Sequence, residues 1–211
     1  PDFFAPFILG IGAFIITFSN KQKMTQKAEI AVGFGILFIG LSSMSSSIGV
    51  YQDSPVFYKA FQVLGGNPIL GILVGAVVTA IIQSSSASVG ILQTLAMRGI
   101  VNWRSAIFIT LGQNIGTCIT AILSSAGANK TAKRAAVIHL SFNVLGAAIY
   151  GVIMTIFFGI FPDLAMQHIS STQISIFHSI FNISVTILLF PFANALVKLS
   201  GLIIREEPVE D

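Results

Sequence analysis

The stretch that decides the fold is Gly75-Ala-Val-Val-Thr-Ala-Ile-Ile-Gln-Ser-Ser-Ser-Ala-Ser-Val-Gly90. It places Gln83 and three successive serines between two apolar runs. Neighbouring residues of a helix lie about 100° apart, so three adjacent serines cannot share one helix face. Polar groups in hydrocarbon are costly unless protein or a water-filled cavity surrounds them. A break in the helix here would turn the hydroxyls and the freed backbone groups towards one spot.

The whole chain has the composition of a membrane protein. Hydrophobic residues make up 54% of its 211 residues and charged residues only 9%, whereas a soluble domain carries about 25% charged residues. The mean hydropathy is +0.88. Too little charge is present to cover a surface that faces water, so the lipid bilayer is the first expected partner. Basic residues stand in short clusters rather than in a stripe, and no nucleic-acid partner is expected.

The apolar runs predict an all-α integral membrane protein with about five transmembrane helices and one re-entrant helical hairpin. Runs that approach a span of about 20 residues occupy residues 3–18, 29–50, 105–127, 135–161 and 173–197. A further run at about 68–97 carries the polar residues at its middle. The connections are short, so we expect a single polytopic membrane domain over 1–204. A charged tail follows at 205–211.

The positions of Lys and Arg predict which loops are cytoplasmic. Two short loops hold basic clusters: Lys21, Lys23 and Lys27 in one, and Lys130, Lys133 and Arg134 in the other. The positive-inside rule places both loops, and with them the C-terminal tail, in the cytoplasm. The run at 68–97 then begins and ends outside, so it must dip in and return, with its tip near 83–88. Arg98 and Arg104 oppose this topology, two charges against six.

The hairpin is the first candidate binding site. Its polar side chains are those of Thr79, Gln83, Ser84, Ser85, Ser86 and Ser88. The N-terminus of a half-helix carries partial positive charge and suits an anion, whereas unwound carbonyls suit Na⁺. The alternative is that the hydroxyls bond back to their own helix or join neighbouring helices.

Two further polar features lie on other predicted spans. Gly112-Gln-Asn-Ile-Gly-Thr117 suggests a broken helix at about 105–127, in which Gln113, Asn114 and Thr117 supply oxygen ligands, although glycines four apart can also allow close helix packing. The pattern H-x-x-F-N occurs twice, at His139–Asn143 and at His178–Asn182. Interhelical hydrogen bonds are the favoured role of these histidines, and Thr79, Asn143 and Asn182 are secondary site candidates.

None of the eight acidic residues is predicted at mid-span. A proton-driven carrier usually needs an intramembrane carboxylate, so neutral oxygen ligands favour Na⁺ coupling and hydroxyl-rich helix ends favour an oxyanion. No other cofactor is expected. An intramembrane serine hydrolase is the rival, but Ser86-Ala-Ser-Val-Gly90 lacks the first glycine of G-x-S-x-G. A passive anion channel or a structural membrane subunit would share the composition but would leave the repeated polar breaks unexplained.

Three stretches resemble the type II sodium–phosphate cotransporter family: NPILGILVGAVVTAIIQSSSASVGILQ, LGQNIGTCITAILSSAGANKTAKRAA and HLSFNVLG. The resemblance extends over about residues 33–192. It implies a non-enzymatic Na⁺-coupled symporter of inorganic phosphate, built from two inverted repeats that each carry a QSSS hairpin and a broken helix. In that scheme Gln83, Ser84, Ser85 and Ser86 contact phosphate and Na⁺, with Ser88 beside them. Gln113, Asn114 and Thr117 line the opposite wall, and the implied Na⁺ ligands are Gln83, Ser84, Ser85, Asn114 and Thr117.

The chain departs from the family scheme in holding one QSSS block, since 42–47 lacks the hairpin context. The sequence around this block is similar to the C-terminal repeat of bacterial members. We therefore expect half of a transporter in a bacterial inner (plasma) membrane. A missing N-terminal repeat or a second chain would complete the site.

Overall fold

The computed structural model describes residues 4–49, 63 and 67–205. All regular elements in these ranges are helices, which confirms the all-α prediction. They are α1 Phe4–Phe18, α2 Gln22–Gly49, α3 Pro68–Ile82, α4 Ser85–Met97, α5 Trp103–Gly116, α6 Cys118–Ser125, α7 Lys130–Ile160, α8 Pro162–Met166, α9 Ser171–Leu189 and α10 Ala193–Ile203, with a 3-10 turn at Phe190–Phe192. Of the expected tail, 206–211 lies outside the described residues.

Four helical stretches in the described ranges are long and apolar enough to cross a membrane. They are Gln22–Met44, Trp103–Ser125, Lys130–Ile160 and Ser171–Ile203. The fifth expected span, at 3–18, corresponds to α1, which has 15 residues and is about 22 Å long. The hydrocarbon core is about 30 Å thick. The protein is therefore a multi-pass membrane protein in which α1 is shorter than a full span.

The chain divides into two compact units, Pro1–Asp53 and Ser54–Asp211. In the first unit α1 and α2 pack against each other in opposite directions, with Gly12 against Ala28 and Val32, and Gly35 against Ala5 and Leu9. The second unit contains α3–α10 and all of the predicted site residues. One membrane domain over 1–204 stays a prediction.

The two helices of the expected hairpin meet at a two-residue reversal. The side chain of Asn67 caps the start of α3 by accepting hydrogen bonds from the Ile69 and Leu70 N–H groups, at 3.0 and 3.3 Å. The helix ends at Gln83, whose φ of 57° lies in the left-handed region. Ser84 is extended, and its hydroxyl accepts from the Ala87 N–H at 3.3 Å, which caps α4.

Glycines bring α3 and α5 into backbone contact. A Cβ added to Gly112 would lie 1.9 Å from the Ile72 carbonyl oxygen, and one added to Gly116 would lie 2.4 Å from that of Ala76. A Cβ on Gly75 would lie 2.1 Å from the Ile109 oxygen. Residue numbers rise together along this contact, so α3 and α5 run in the same direction. The paired glycines therefore allow close helix packing, which was the alternative role given to them in the sequence analysis.

The arms of the hairpin are shorter than the hydrocarbon core of a bilayer is thick. Helix α3 has 15 residues and α4 has 13, so each arm is about 20 Å long and shorter than the hydrocarbon core of about 30 Å. Helix α5 starts at the end of the molecule to which α4 returns, and it runs parallel to α3. A helical hairpin therefore lies beside a helix long enough to span a membrane, and its re-entrant position stays a prediction.

Backbone and side-chain contacts tie the loops together at each end of the second unit. At one end, the Trp103 N–H donates to the Gln167 carbonyl at 3.0 Å, and Asn102 and His168 form an antiparallel bridge. We name this the hairpin-base end (98–104 and 166–170). At the other, the Arg134 guanidinium bonds to the Ser200 hydroxyl at 3.4 Å and to the Val197 carbonyl at 3.5 Å. We name this the basic end (130–134 and 197–205).

The glycine contact predicts a strong effect of one methyl group. Gly112→Ala should force α3 away from α5 and lower the free energy of unfolding by about 1–3 kcal/mol, as overpacking does in other cores. The measurement is thermal or denaturant unfolding of the detergent-solubilised protein. Gly159→Ala on α7 is the matched control, because no atom lies within 4 Å of the added Cβ. Equal unfolding curves for the two variants would contradict the contact.

Candidate functional site

The tip of the hairpin presents uncommitted polar groups. Gln83, Ser84 and Ser86 are exposed and Ser85 is half-buried. In the described part of the chain the side chains of Gln83, Ser85 and Ser86 have no hydrogen-bond partner, and that of Ser84 caps α4. The first intrahelical bond of α4 runs from the Ser88 N–H to the Ser84 carbonyl, at 3.0 Å. The Ser85 and Ser86 N–H groups therefore remain available at the positive end of the α4 dipole.

The C-terminal end of α3 lies beside the start of α4 at the same tip. The Gln83 N–H donates to the Thr79 carbonyl at 2.8 Å. Because α3 ends there, the carbonyls of its last residues have no further helical turn whose N–H groups could bond to them. A negative helix end and a positive helix end are thus separated by one reversal. The tip can offer oxygens to a cation and N–H and O–H groups to an anion.

Three of the predicted site residues point away from the tip and form a buried cluster, which we name the hairpin lock (Thr79, Ser88 and Gln113). The Thr79 hydroxyl donates to the Ser88 Oγ at 2.7 Å. The Gln113 Nε2 donates to the carbonyl oxygen and to the Oγ of Ser88, at 2.9 Å in each case. All three side chains are buried. The lock joins both arms of the hairpin to α5, so its side chains hold the tip in place.

One atom of the lock has no partner. The Gln113 Oε1 is buried and takes no hydrogen bond in the structure. Gln113 and Ser88 line a cavity of about 90 Å³ whose other walls are glycine and apolar residues of α3, α4 and α5. A water molecule needs far less space than this, and one bound here can donate to the Oε1.

Asn114 and Thr117 lie on the side of α5 near α9. The Asn114 Nδ2 donates to the Thr110 carbonyl at 2.9 Å, and its Oδ1 lies 3.3 Å from the His178 Nε2. The Thr117 hydroxyl donates to the Gln113 carbonyl at 2.8 Å. The interruption of the helix is narrower than the sequence suggested: Thr117 alone separates α5 from α6, it keeps right-handed helical dihedrals with φ −58° and ψ −27°, and its N–H donates to the Gln113 carbonyl at 3.1 Å.

The two H-x-x-F-N segments have the same local geometry. The Asn143 Nδ2 donates to the His139 carbonyl at 2.9 Å, and the Asn182 Nδ2 donates to the His178 carbonyl at 2.8 Å. Of the two histidines, His178 makes an interhelical side-chain bond among the described residues, the one to Asn114. The serine hydrolase alternative would pair one of Ser84–Ser88 with His139 or His178, and no hydrogen bond among the described residues joins such a pair.

The sequence analysis missed Gln93. Its Nε2 donates to the Ser175 Oγ at 2.7 Å and lies 3.4 Å from the Ser171 carbonyl, and these bonds join α4 to α9. A signal was present, because an amide in an apolar run needs a partner. Gln93 also follows Ser86 by seven residues, and such a spacing places both on one face of a helix.

The chain is similar to a known protein family and to several known proteins. A family model described as Na⁺/Pi-cotransporter matches residues 54–185. Among curated proteins, the chain is 30% identical over 197 residues to the uncharacterized protein YqeW of Bacillus subtilis, which covers 93% of the chain and 64% of YqeW. It is 24% identical to YjbB of Escherichia coli, provisionally named an inorganic phosphate export protein, with 98% of the chain and 38% of YjbB aligned.

A mammalian protein is also similar. The sodium-dependent phosphate transport protein 2A of Rattus norvegicus is 32% identical over an alignment of 143 positions that covers 61% of the chain and 22% of that protein. The chain thus spans less than two thirds of the length of each of these relatives. No solved structure matches the chain.

The lock and the tip should respond differently to the loss of one hydroxyl. Ser88→Ala leaves the Thr79 hydroxyl and one Gln113 N–H without their buried acceptor, which should lower the free energy of unfolding by about 1–3 kcal/mol. Ser86→Ala, two residues away, removes an exposed hydroxyl without a partner and should change it by less than about 0.5 kcal/mol. Chemical unfolding of both purified variants measures the difference. A destabilised Ser86→Ala beside an unchanged Ser88→Ala would contradict the division.

Proposed function

Because the chain belongs to the Na⁺/Pi-cotransporter family, we propose that it transports inorganic phosphate across a membrane coupled to Na⁺, with the tip of the hairpin as one half of the binding site. The observation that carries the proposal is the pair of helix ends at Gln83 and Ser84. They meet at the tip of the hairpin, where the Ser84 hydroxyl caps α4 and the side chains of Gln83, Ser85 and Ser86 have no hydrogen-bond partner among the described residues. The name of the rat relative, a sodium-dependent phosphate transport protein, supports the choice of substrates.

The anion part of the site is the start of α4. The N–H groups of Ser85 and Ser86 and the hydroxyls of the QSSS segment, Gln83–Ser86, are donors, and the helix dipole adds partial positive charge. No lysine or arginine lies within residues 68–97, so phosphate is held by dipoles and by Na⁺ bound beside it. Binding of this kind is reversible, as a transport cycle requires.

The cation part is the end of α3 with neighbouring neutral oxygens. We assign Na⁺ to the oxygens of Gln83, Ser84 and Ser85, with Asn114 and Thr117 on the facing helix. Gly116 contacts Thr79, so Thr117 lies about one helical turn, or about 6 Å, from the level of the tip. We assign Ser88, Gln113 and Thr79 to positioning the tip, and Asn143 and Asn182 to secondary contacts.

The other half of the site comes from outside this chain. One hairpin supplies one set of donors, and the resemblance implies two inverted repeats with one hairpin each. We propose that a missing repeat, or a second chain, faces the tip, and that alternating access occurs around the site between the two. The relatives are longer than the chain, which is consistent with this proposal.

We place the chain in a bacterial inner (plasma) membrane with its basic end in the cytoplasm. That end holds Lys130, Lys133, Arg134, Lys198 and Arg205, whereas the hairpin-base end holds Arg98 and Arg104. The excess of positive charge marks the cytoplasmic side. Transport needs no covalent step and no cofactor other than the coupling ion, so the proposed activity is not enzymatic.

The amide of Gln83 can be tested apart from its backbone. Gln83→Gly keeps the left-handed turn without strain and removes the side chain, so Na⁺-stimulated phosphate uptake should fall at least about tenfold if the amide binds substrate. Ser85→Ala should act in the same direction. The assay is radiolabelled phosphate uptake into proteoliposomes that contain the assembled transporter, with and without a Na⁺ gradient.

Ser124→Ala is the control, since Ser124 is an exposed residue at the end of α6. Its uptake should equal that of the unmodified protein. If Gln83→Gly and Ser85→Ala both retain full uptake, the site assignment is wrong. Phosphate flux in the unmodified protein that ignores Na⁺ would point instead to a passive channel.

A further inference from the structure

Helix α9 has three distinct faces. One face is buried and carries Ile174, Phe181, Val185 and Leu189. A second is exposed and consists of isoleucines: Ile176, Ile180, Ile183 and Ile187. The third is polar and consists of the residue before each of these isoleucines: Ser175, Ser179, Asn182 and Thr186. Ser175, Ser179 and Thr186 are exposed and Asn182 is half-exposed.

The polar face of α9 meets the hairpin near the hairpin-base end. Ser175 accepts a hydrogen bond from the Gln93 Nε2 on α4, at 2.7 Å. One turn further along, His178 contacts Asn114 of α5. These contacts set the polar face beside the two helices that we assign to the binding site.

The same side of the hairpin carries the tip. Ser86 lies seven residues before Gln93 on α4, so both project from one face of that helix, and Gln93 contacts α9. Ser86 is exposed. A strip with polar residues at Ser86 and Gln93, and with Val89 and Gly90 between them on α4, therefore runs from the Gln93–Ser175 contact towards the tip beside the polar face of α9.

Lipid is a poor environment for this strip. The hydroxyls of Ser175, Ser179 and Thr186 bond back to carbonyls of their own helix, at 2.7–3.3 Å, and these three groups therefore tolerate hydrocarbon. The Asn182 Oδ1 takes no hydrogen bond in the described part of the chain, and Asn182 lies about 16 Å along α9 from Ser171. An amide oxygen at that depth needs water, an ion or protein.

We propose that the polar face of α9 and the Ser86–Gln93 face of α4 form one wall of a hydrated passage that leads from the hairpin-base end to the tip. Phosphate and Na⁺ would use it to reach the site, which rests on the proposed function. The Gln93–Ser175 hydrogen bond spans the strip at its outer part, so these two side chains form the mouth. The isoleucine face, about 100° around the helix, faces lipid.

The residue pairs of α9 provide matched probes. The native Cys118 is replaced by alanine, and single cysteines are introduced at Ser175, Ser179, Asn182 and Thr186, and at Ile176, Ile180, Ile183 and Ile187. The assembled transporter in sealed vesicles is treated with a membrane-impermeant methanethiosulfonate from the hairpin-base side. The reagent reacts with the thiolate, which forms in water and not in hydrocarbon, so each polar-face cysteine should react at least about tenfold faster than its neighbour.

Three outcomes would overturn the passage. Equal rates within the four pairs would mean that neither face is selectively hydrated, and faster reaction at the isoleucine positions would place water on the other side. Unreactive cysteines on the polar face would mean that protein or lipid covers it. Size-exclusion profiles identify variants that do not fold, and the rates are then compared in the pairs of which both members fold.

A second experiment distinguishes hydration of the passage from its use by phosphate. With saturating Na⁺ and inorganic phosphate, labelling at Asn182→Cys should slow, whereas labelling at Ser175→Cys near the mouth should not. If the polar-face cysteines are labelled selectively but phosphate slows labelling at no position, the hydrated passage is supported and the assignment of phosphate to it is wrong. If uptake is Na⁺-dependent but the polar face is inert, the function stands and the passage falls.

Discussion

The structure depends on the contact between the backbones of α3 and α5. Gly75, Gly112 and Gly116 have no side chains to keep the two helices apart, so the Ile72 and Ala76 carbonyls lie against the surface of α5. Between apolar helices in lipid the hydrophobic effect contributes little, and close van der Waals packing becomes the main attraction. This packing fixes the depth of the hairpin. A 15-residue helix, too short to cross a bilayer by itself, is held beside a helix long enough to do so, and the packing fixes the position of its polar end relative to that helix.

The depth of the hairpin divides its polar residues into two groups with different roles. Thr79 and Ser88 face α5, where Gln113 bonds to Ser88 and Ser88 accepts from Thr79. Ser85 and Ser86 face outward without partners. A hydroxyl that is saturated by buried neighbours contributes rigidity, and one that is left unpaired at a helix end can exchange a ligand for water. The reversal at Gln83 keeps the two groups apart, since the helix axis changes direction between them.

The sequence predicted the elements better than the roles of individual side chains. Apolar run lengths and the basic clusters were sufficient for the membrane class and for the hairpin, because burial and charge placement act on whole segments. They could not show that Thr79, Ser88 and Gln113 point inward, since that depends on the rotation of α3 and α4 about their axes. The glycines at 112 and 116 had two readings, and only the facing helix decides between packing and unwinding. Gln93 was overlooked because its partner lies 82 residues away in the chain.

The absence of charged side chains from residues 68–97 is consistent with the task proposed for them. A lysine or arginine at the tip would bind phosphate strongly in a medium of low dielectric constant, and it would also have to be desolvated whenever the site was empty. Helix ends and hydroxyls carry only partial charges, and their desolvation costs little free energy when no ligand is bound. In the proposed function, bound Na⁺ would supply the missing positive charge, and phosphate would be held well only in its presence. Such mutual dependence of two ligands on neutral groups is a physical basis for coupling, and it explains why a site made of serines and amides can link the two fluxes.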